Sequence, residues 1–152
     1  MPTKLHGNQI QTATIPPEAI IGGVGGGSGG GSSFNGVVTT IGFQAINDEI
    51  IATGTKSTHY IGNSGFIHGW SCYANASGTV QITVSKLSGG DTINMIGTGI
   101  VPGINNGIFA SGNNFAGWSS TGTVLGDRII LGVSNISGQI QDLTFNLLIR
   151  NI

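Results

Sequence analysis

Apolar and polar residues alternate over residues 78–86, with Val80, Ile82 and Val84 on one side and Thr79, Gln81, Thr83 and Ser85 on the other. Side chains of an extended chain point to opposite faces in turn, so this is a strand with one buried face. It needs partners of the same pattern. In the C-terminal stretch Leu143, Phe145, Leu147 and Ile149 oppose Thr144, Asn146 and Arg150, and just before it Ile129, Leu131 and Val133 oppose Ile130, Gly132 and Ser134. Read this way, the chain predicts strands over 37–45, 49–53, 57–61, 65–74, 78–87, 92–97, 112–119, 128–135 and 139–150. Turn chemistry separates them at Asn47-Asp48, Asn63-Ser64-Gly65, Asn75-Ala76-Ser77-Gly78, Ser88-Gly89-Gly90-Asp91, Gly126-Asp127 and Ser137-Gly138. The last of these is read as the turn of a C-terminal hairpin. Residues 97–112, GTGIVPGINNGIFASG, read as a long irregular connection. No segment sustains a helical period. Short strands with turns at this spacing predict an all-β fold, a jelly-roll-like antiparallel β-sandwich.

The N-terminal residues do not belong to that pattern. Ile10, Thr12 and Thr14 alternate with Gln11, Ala13 and Ile15 until Pro16 and Pro17 end the run. A single short strand with no partner in its own segment is marginal in water. Residues 1–21 are therefore read as an extended N-terminal arm for anchoring and assembly, with Ile10, Ile15, Ile20 and Ile21 as its apolar contacts. Residues 22–33, GGVGGGSGGGSS, form a flexible linker with a root-mean-square span of roughly 19 Å. The sandwich head then occupies 34–152.

Composition narrows the partners. Charged residues make up 7% of the chain, against about 25% in an average protein. Five cations and six anions leave no basic stripe, which excludes nucleic acid and an anionic membrane surface. No apolar run approaches the roughly 18 residues of a membrane helix, and residues 1–11 lack the apolar core of a secretory signal. Near-neutral charge gives little colloidal repulsion, so the surface must be solvated by Asn, Ser, Thr and Gln or covered by other copies. The lone Cys72 reads as a small buried hydrophobe.

Catalytic chemistry is poorly provided for. Asp48, Glu49, Asp91, Asp127 and Asp142 lie mostly beside Gly or Asn in turns, where turn formation accounts for them. Outside the glycine linker there is no G-x-S-x-G elbow, His6, His59 and His68 have no zinc spacing, and the glycine tract lacks the Lys-Ser/Thr ending of a phosphate loop. The expectation is a non-enzymatic protein without cofactor or metal. Carbohydrate binding stays open through Tyr60, Trp70, Tyr73 and Trp118, since sugars stack on exposed rings. Trp70 and Trp118 each follow a glycine that leaves room for a ring, and core packing is the competing reading.

Several of these residues occur in an ordered set: Gly69-Trp70, Ser77-Gly78 leading into TVQITVSK, Gly117-Trp118-Ser119, Gly126-Asp127 leading into RIILGV, and Leu143-Thr144-Phe145-Asn146-Leu147. In order and rough spacing this resembles a small β-sandwich domain of bacteriophage fibre and tail-associated virion proteins, over most of residues 50–150. Residues 92–112 are richer in Gly and Asn than that pattern, and the tether lies outside it. KLHGNQIQTATI in turn resembles short strand-forming pieces near the N-termini of phage fibres, which assemble as trimers. The resemblance implies a structural virion protein of a tailed bacteriophage, made in the host cytoplasm and released by lysis. It would be a homotrimeric short tail fibre or fibre tip, held to other virion proteins by its arm and displaying the sandwich for host attachment. A capsid decoration or head-fibre protein and a lectin-type receptor-binding module for host surface glycans are the other expectations.

Overall fold

One long strand organises the pairing of all the others. The computed structural model describes residues 36–152, which form one compact unit. The arm over 1–21, with Ile10, Ile15, Ile20 and Ile21, and the linker over 22–33 lie outside the described residues. Eight strands and no helix occur among the described residues: β1 (Val38–Ile46), β2 (Gly54–Tyr60), β3 (Gly65–Ser88), β4 (Asp91–Asn94), β5 (Gly103–Gly112), β6 (Gly122–Thr123), β7 (Arg128–Gly138) and β8 (Asp142–Asn151). All pairings are antiparallel. The first half of β3 pairs with β8 and the second half with β7, while β5 borders parts of both halves on the opposite side. β1 pairs beyond β8 and β2 beyond β7. The sheet curls about the middle of β3, and its inward faces enclose the core.

The alternations seen in the sequence set those inward faces. Val80, Ile82, Val84, Ile129, Leu131, Val133, Leu143, Phe145, Leu147 and Ile149 are all buried, each contributing about 1.5–3 kcal/mol of transfer free energy. Phe145 sits at the centre, its ring 6.0 Å from that of Phe43 and 6.4 Å from that of Trp70. Cys72 is buried beside them.

The middle of β3 departs from the expected turn. Asn75-Ala76-Ser77-Gly78 is continuous strand, because the ladders that end at Tyr73 and Ala74 and those that resume at Gly78 hold both of its ends and override its local turn preference. Gly78 is required by close approach there: a Cβ would lie 2.1 Å from the Ser137 carbonyl oxygen. The expected C-terminal hairpin is likewise corrected, since β7 and β8 do not pair but line successive halves of β3. The chain crosses between them at 139–141, where the Asn75 side-chain oxygen accepts from the amides of Gln141 and Asp142, both at 3.0 Å.

Three further expectations change. Residues 49–53 are not a strand; Ile51 is buried singly and donates its amide to the Ile140 carbonyl at 2.9 Å. Residues 113–119 form turns, and the segment read as irregular holds β5. Gly and Asn are tolerated in β5 because it is bordered on one side only. Where the outermost strands β1 and β2 approach, the His59 Nε2 lies 2.7 Å from the Gly42 carbonyl oxygen and 2.9 Å from the Ser57 hydroxyl. A carbonyl only accepts, so Nε2 carries the donated proton.

Candidate functional site

Register across β1, β8, β3 and β5 arranges the outward side chains in rows. One row is Gly42, Asn146, Ser71 and Ser111; the next is Gln44, Thr144, Tyr73 and Phe109. Tyr73 and Phe109 are direct cross-strand partners and are 50% and 60% exposed. The row on the other side of Ser71 holds Thr40, Leu148 and Gly69. None of these residues is charged. Arg150 and Asp142 stand at the borders, paired with Val38 and Ile46.

A β-bulge opens this face. The ladder from β3 to β8 steps from Ile67–Ile149 to Gly69–Leu148, leaving His68 as the extra residue. On the other side of β3 the partner also changes: β5 ends at Gly112, opposite Trp70, and the Ile67 amide is taken by the Thr121 carbonyl at 2.9 Å. A notch of about 430 Å³ results, lined by His68, Gly69, Trp70, Ser111, Gly112, Asn113 and Leu148. Its two glycines preserve the space, since a Cβ on Gly112 would come 2.9 Å from the Trp70 indole and one on Gly69 3.1 Å from Leu148 Cδ1. The His68 Nε2 is buried without a hydrogen-bond partner, an arrangement that costs about 1–3 kcal/mol. The notch thus presents hydroxyl, amide and imidazole groups beside Leu148 and the Trp70 ring.

The four aromatic candidates do not converge. Tyr73 lies on the outward rows. Trp70 packs into the core at 8% exposure, so it has no free face for stacking, and its contribution to the notch is as part of the wall. Tyr60 is on β2 with the Arg128 guanidinium 4.7 Å from its ring centre. Trp118 is half-buried, edge-on to Phe115 at 4.9 Å, and its indole N–H donates to the Ile100 carbonyl at 2.8 Å. Phe109, Ser111, Asn113 and the His68 bulge escaped the sequence reading. Their one signal was the apolar pair Ile108-Phe109 inside a Gly- and Asn-rich stretch.

Asp127 and Lys86 brace a turn against the end of β3. Asp127 closes the Gly126-Asp127 turn by accepting from the Val124 amide at 2.9 Å, and it lies 3.8 Å from the Lys86 ammonium. Burial pushes the Cys72 thiol up to about 12. No group of three or more His, Cys, Asp or Glu side chains comes together among the described residues. No protein-family model and no curated protein matches the chain.

Proposed function

We propose that this chain is a structural virion protein of a tailed bacteriophage, a homotrimeric short tail fibre or fibre tip, with residues 1–21 as the anchor and the β-sandwich displayed for host attachment. The observation that carries the reading is the outward face of β1, β8, β3 and β5, uncharged between Asp142 and Arg150 at its borders and built of amides, hydroxyls and a paired Tyr73 and Phe109. Such a surface binds neutral partners without desolvating ions, and linked copies gain avidity without strong individual sites. The ordered Gly-Trp, Ser-Gly, Gly-Trp and Gly-Asp set supports the same assignment. The head has no part in catalysis under this reading.

Two measurements test it. Light scattering of the full chain should give three times the chain mass, and replacing Ile10 and Ile15 by Asp should dissociate the trimer while the β circular-dichroism signal is retained. Antibody labelling of phage particles should mark the tail tip. Label on the capsid would assign the chain as a decoration protein instead, and a monomer absent from particles would overturn the virion reading altogether.

A further inference from the structure

We propose that the notch at His68 and the outward side chains running from it to Tyr73 and Phe109 form one elongated site for an uncharged saccharide. The inference deepens the attachment reading and rests on it for the biological setting alone. Charge selects the ligand class first. No cation lines the notch, the serine row or the aromatic row, and Arg150 stands one row beyond Leu148, on the side away from them. A phosphate, sulfate or acidic sugar lying along the serine and aromatic rows would find no partner for its charge there. A neutral sugar needs none.

The polar groups present match such a ligand. Ser71, Ser111, Asn113 and Asn146 offer hydroxyls and amides, each able to donate and to accept, as sugar hydroxyls do. The His68 imidazole adds a nitrogen that the fold leaves unpaired. Tyr73 and Phe109, paired across β3 and β5, supply exposed rings on which the C–H face of a pyranose stacks.

Geometry joins these groups into one strip. Outward residues two apart on a strand are separated by about 7 Å, so the aromatic pair, the serine pair and the notch follow one another over about 14 Å. The bulge and the departure of the chain after Gly112 make the notch the deep end. An exposed Phe on an edge strand also suits a contact between copies, but the core of such a contact is depleted in the Ser that borders Phe109 here. The saccharide is the better match.

The test uses the full chain. An array of neutral oligosaccharides built from glucose, galactose, mannose and N-acetylglucosamine, beside sialylated and sulfated ones, should show binding confined to the neutral set. Titration of the strongest binder, followed by tryptophan fluorescence and amide chemical shifts, should move Trp70 and residues 109–113. Tyr73→Ala and Phe109→Ala should each weaken binding at least tenfold, while Tyr60→Ala leaves it unchanged. Asn113→Ala, beyond the end of β5 and outside its ladder, should weaken it too and serves if an aromatic variant fails to fold. Silence on the neutral array, or full affinity in Tyr73→Ala, Phe109→Ala and Asn113→Ala, would overturn the site. So would a Phe109→Ala variant that lowers the mass in solution with no change in saccharide binding, which would make this face a subunit contact. A chain that binds sugar but is absent from particles overturns the attachment reading and leaves the site standing; a chain present in particles but silent on the array does the reverse.

Discussion

The Lys86–Asp127 pair allows the burial argument to be tested quantitatively. Lys86 lies near the end of β3, its side chain 12% exposed, with Nζ 3.8 Å from the Asp127 carboxylate and 2.9 Å from the Gly122 carbonyl. The Asp127 side chain is 3% exposed and also holds the Val124 amide. Two unit charges at this separation attract by roughly 4 kcal/mol at an effective dielectric of 20. Desolvation of both groups offsets most of that, leaving a net coupling of about 1–2 kcal/mol. Asp127→Asn keeps an oxygen for Val124 and removes only the charge, whereas Asp127→Ala also frees the Val124 amide at a further cost of about 1 kcal/mol. Urea unfolding of the wild type, Asp127→Asn, Lys86→Met and the double variant closes the cycle. A coupling below about 0.5 kcal/mol, in the range of exposed pairs, would refute the reasoning and reduce Asp127 to the turn former that its Gly-Asp setting implies.

Two further outcomes follow from burial and from the corner of the sheet. The Cys72 thiol, raised from 9.0 to about 12 by desolvation, favours its neutral form in the fold. Its contribution to stability is therefore complete below about pH 9 and declines as the pH rises towards 12, while the unfolded thiol ionises. The melting-temperature difference between wild type and Cys72→Val should shift against the wild type over that window; parallel curves would contradict the burial argument. Asn75→Ala removes both acceptor bonds at the β7–β8 crossing and should cost about 1–2 kcal/mol, with faster hydrogen exchange at Gln141 and Asp142. Unchanged exchange there would show that the crossing holds without Asn75.

Faces were legible in the sequence where pairing was not. The alternations around Val80, Leu131 and Phe145 identify inward residues because a period of two survives whatever the partner strand is. Partner choice depends on long-range register. Asn75-Ala76-Ser77-Gly78 carries every local mark of a turn, yet the ladders on either side of it, ending at Ala74 and resuming at Gly78, hold it extended, and the neighbouring runs that suggested a C-terminal hairpin serve different halves of β3. The candidate site follows the same rule. Tyr73 was recognised as a single aromatic residue, but its pairing with Phe109 needs the β3–β5 register, and the notch needs a bulge with no composition of its own. Trp70 shows the converse: a glycine before a large ring signals room for packing, and the ring is buried against Phe145.

The position of β3 also governs the order in which the head becomes foldable during synthesis. Its first half is completed by β8, and so is β1, yet β8 is made after the other seven described strands. Until Asp142–Asn151 has cleared the ribosome, β1 and the first half of β3 present unsatisfied backbone edges and the apolar side chains Ile41, Phe43, Ile67 and Trp70. Such a nascent chain cannot fold strand by strand. Loss of Asp142–Asn151, far from trimming one edge, leaves two adhesive strands on every copy, and aggregation is the expected fate of such a truncated chain.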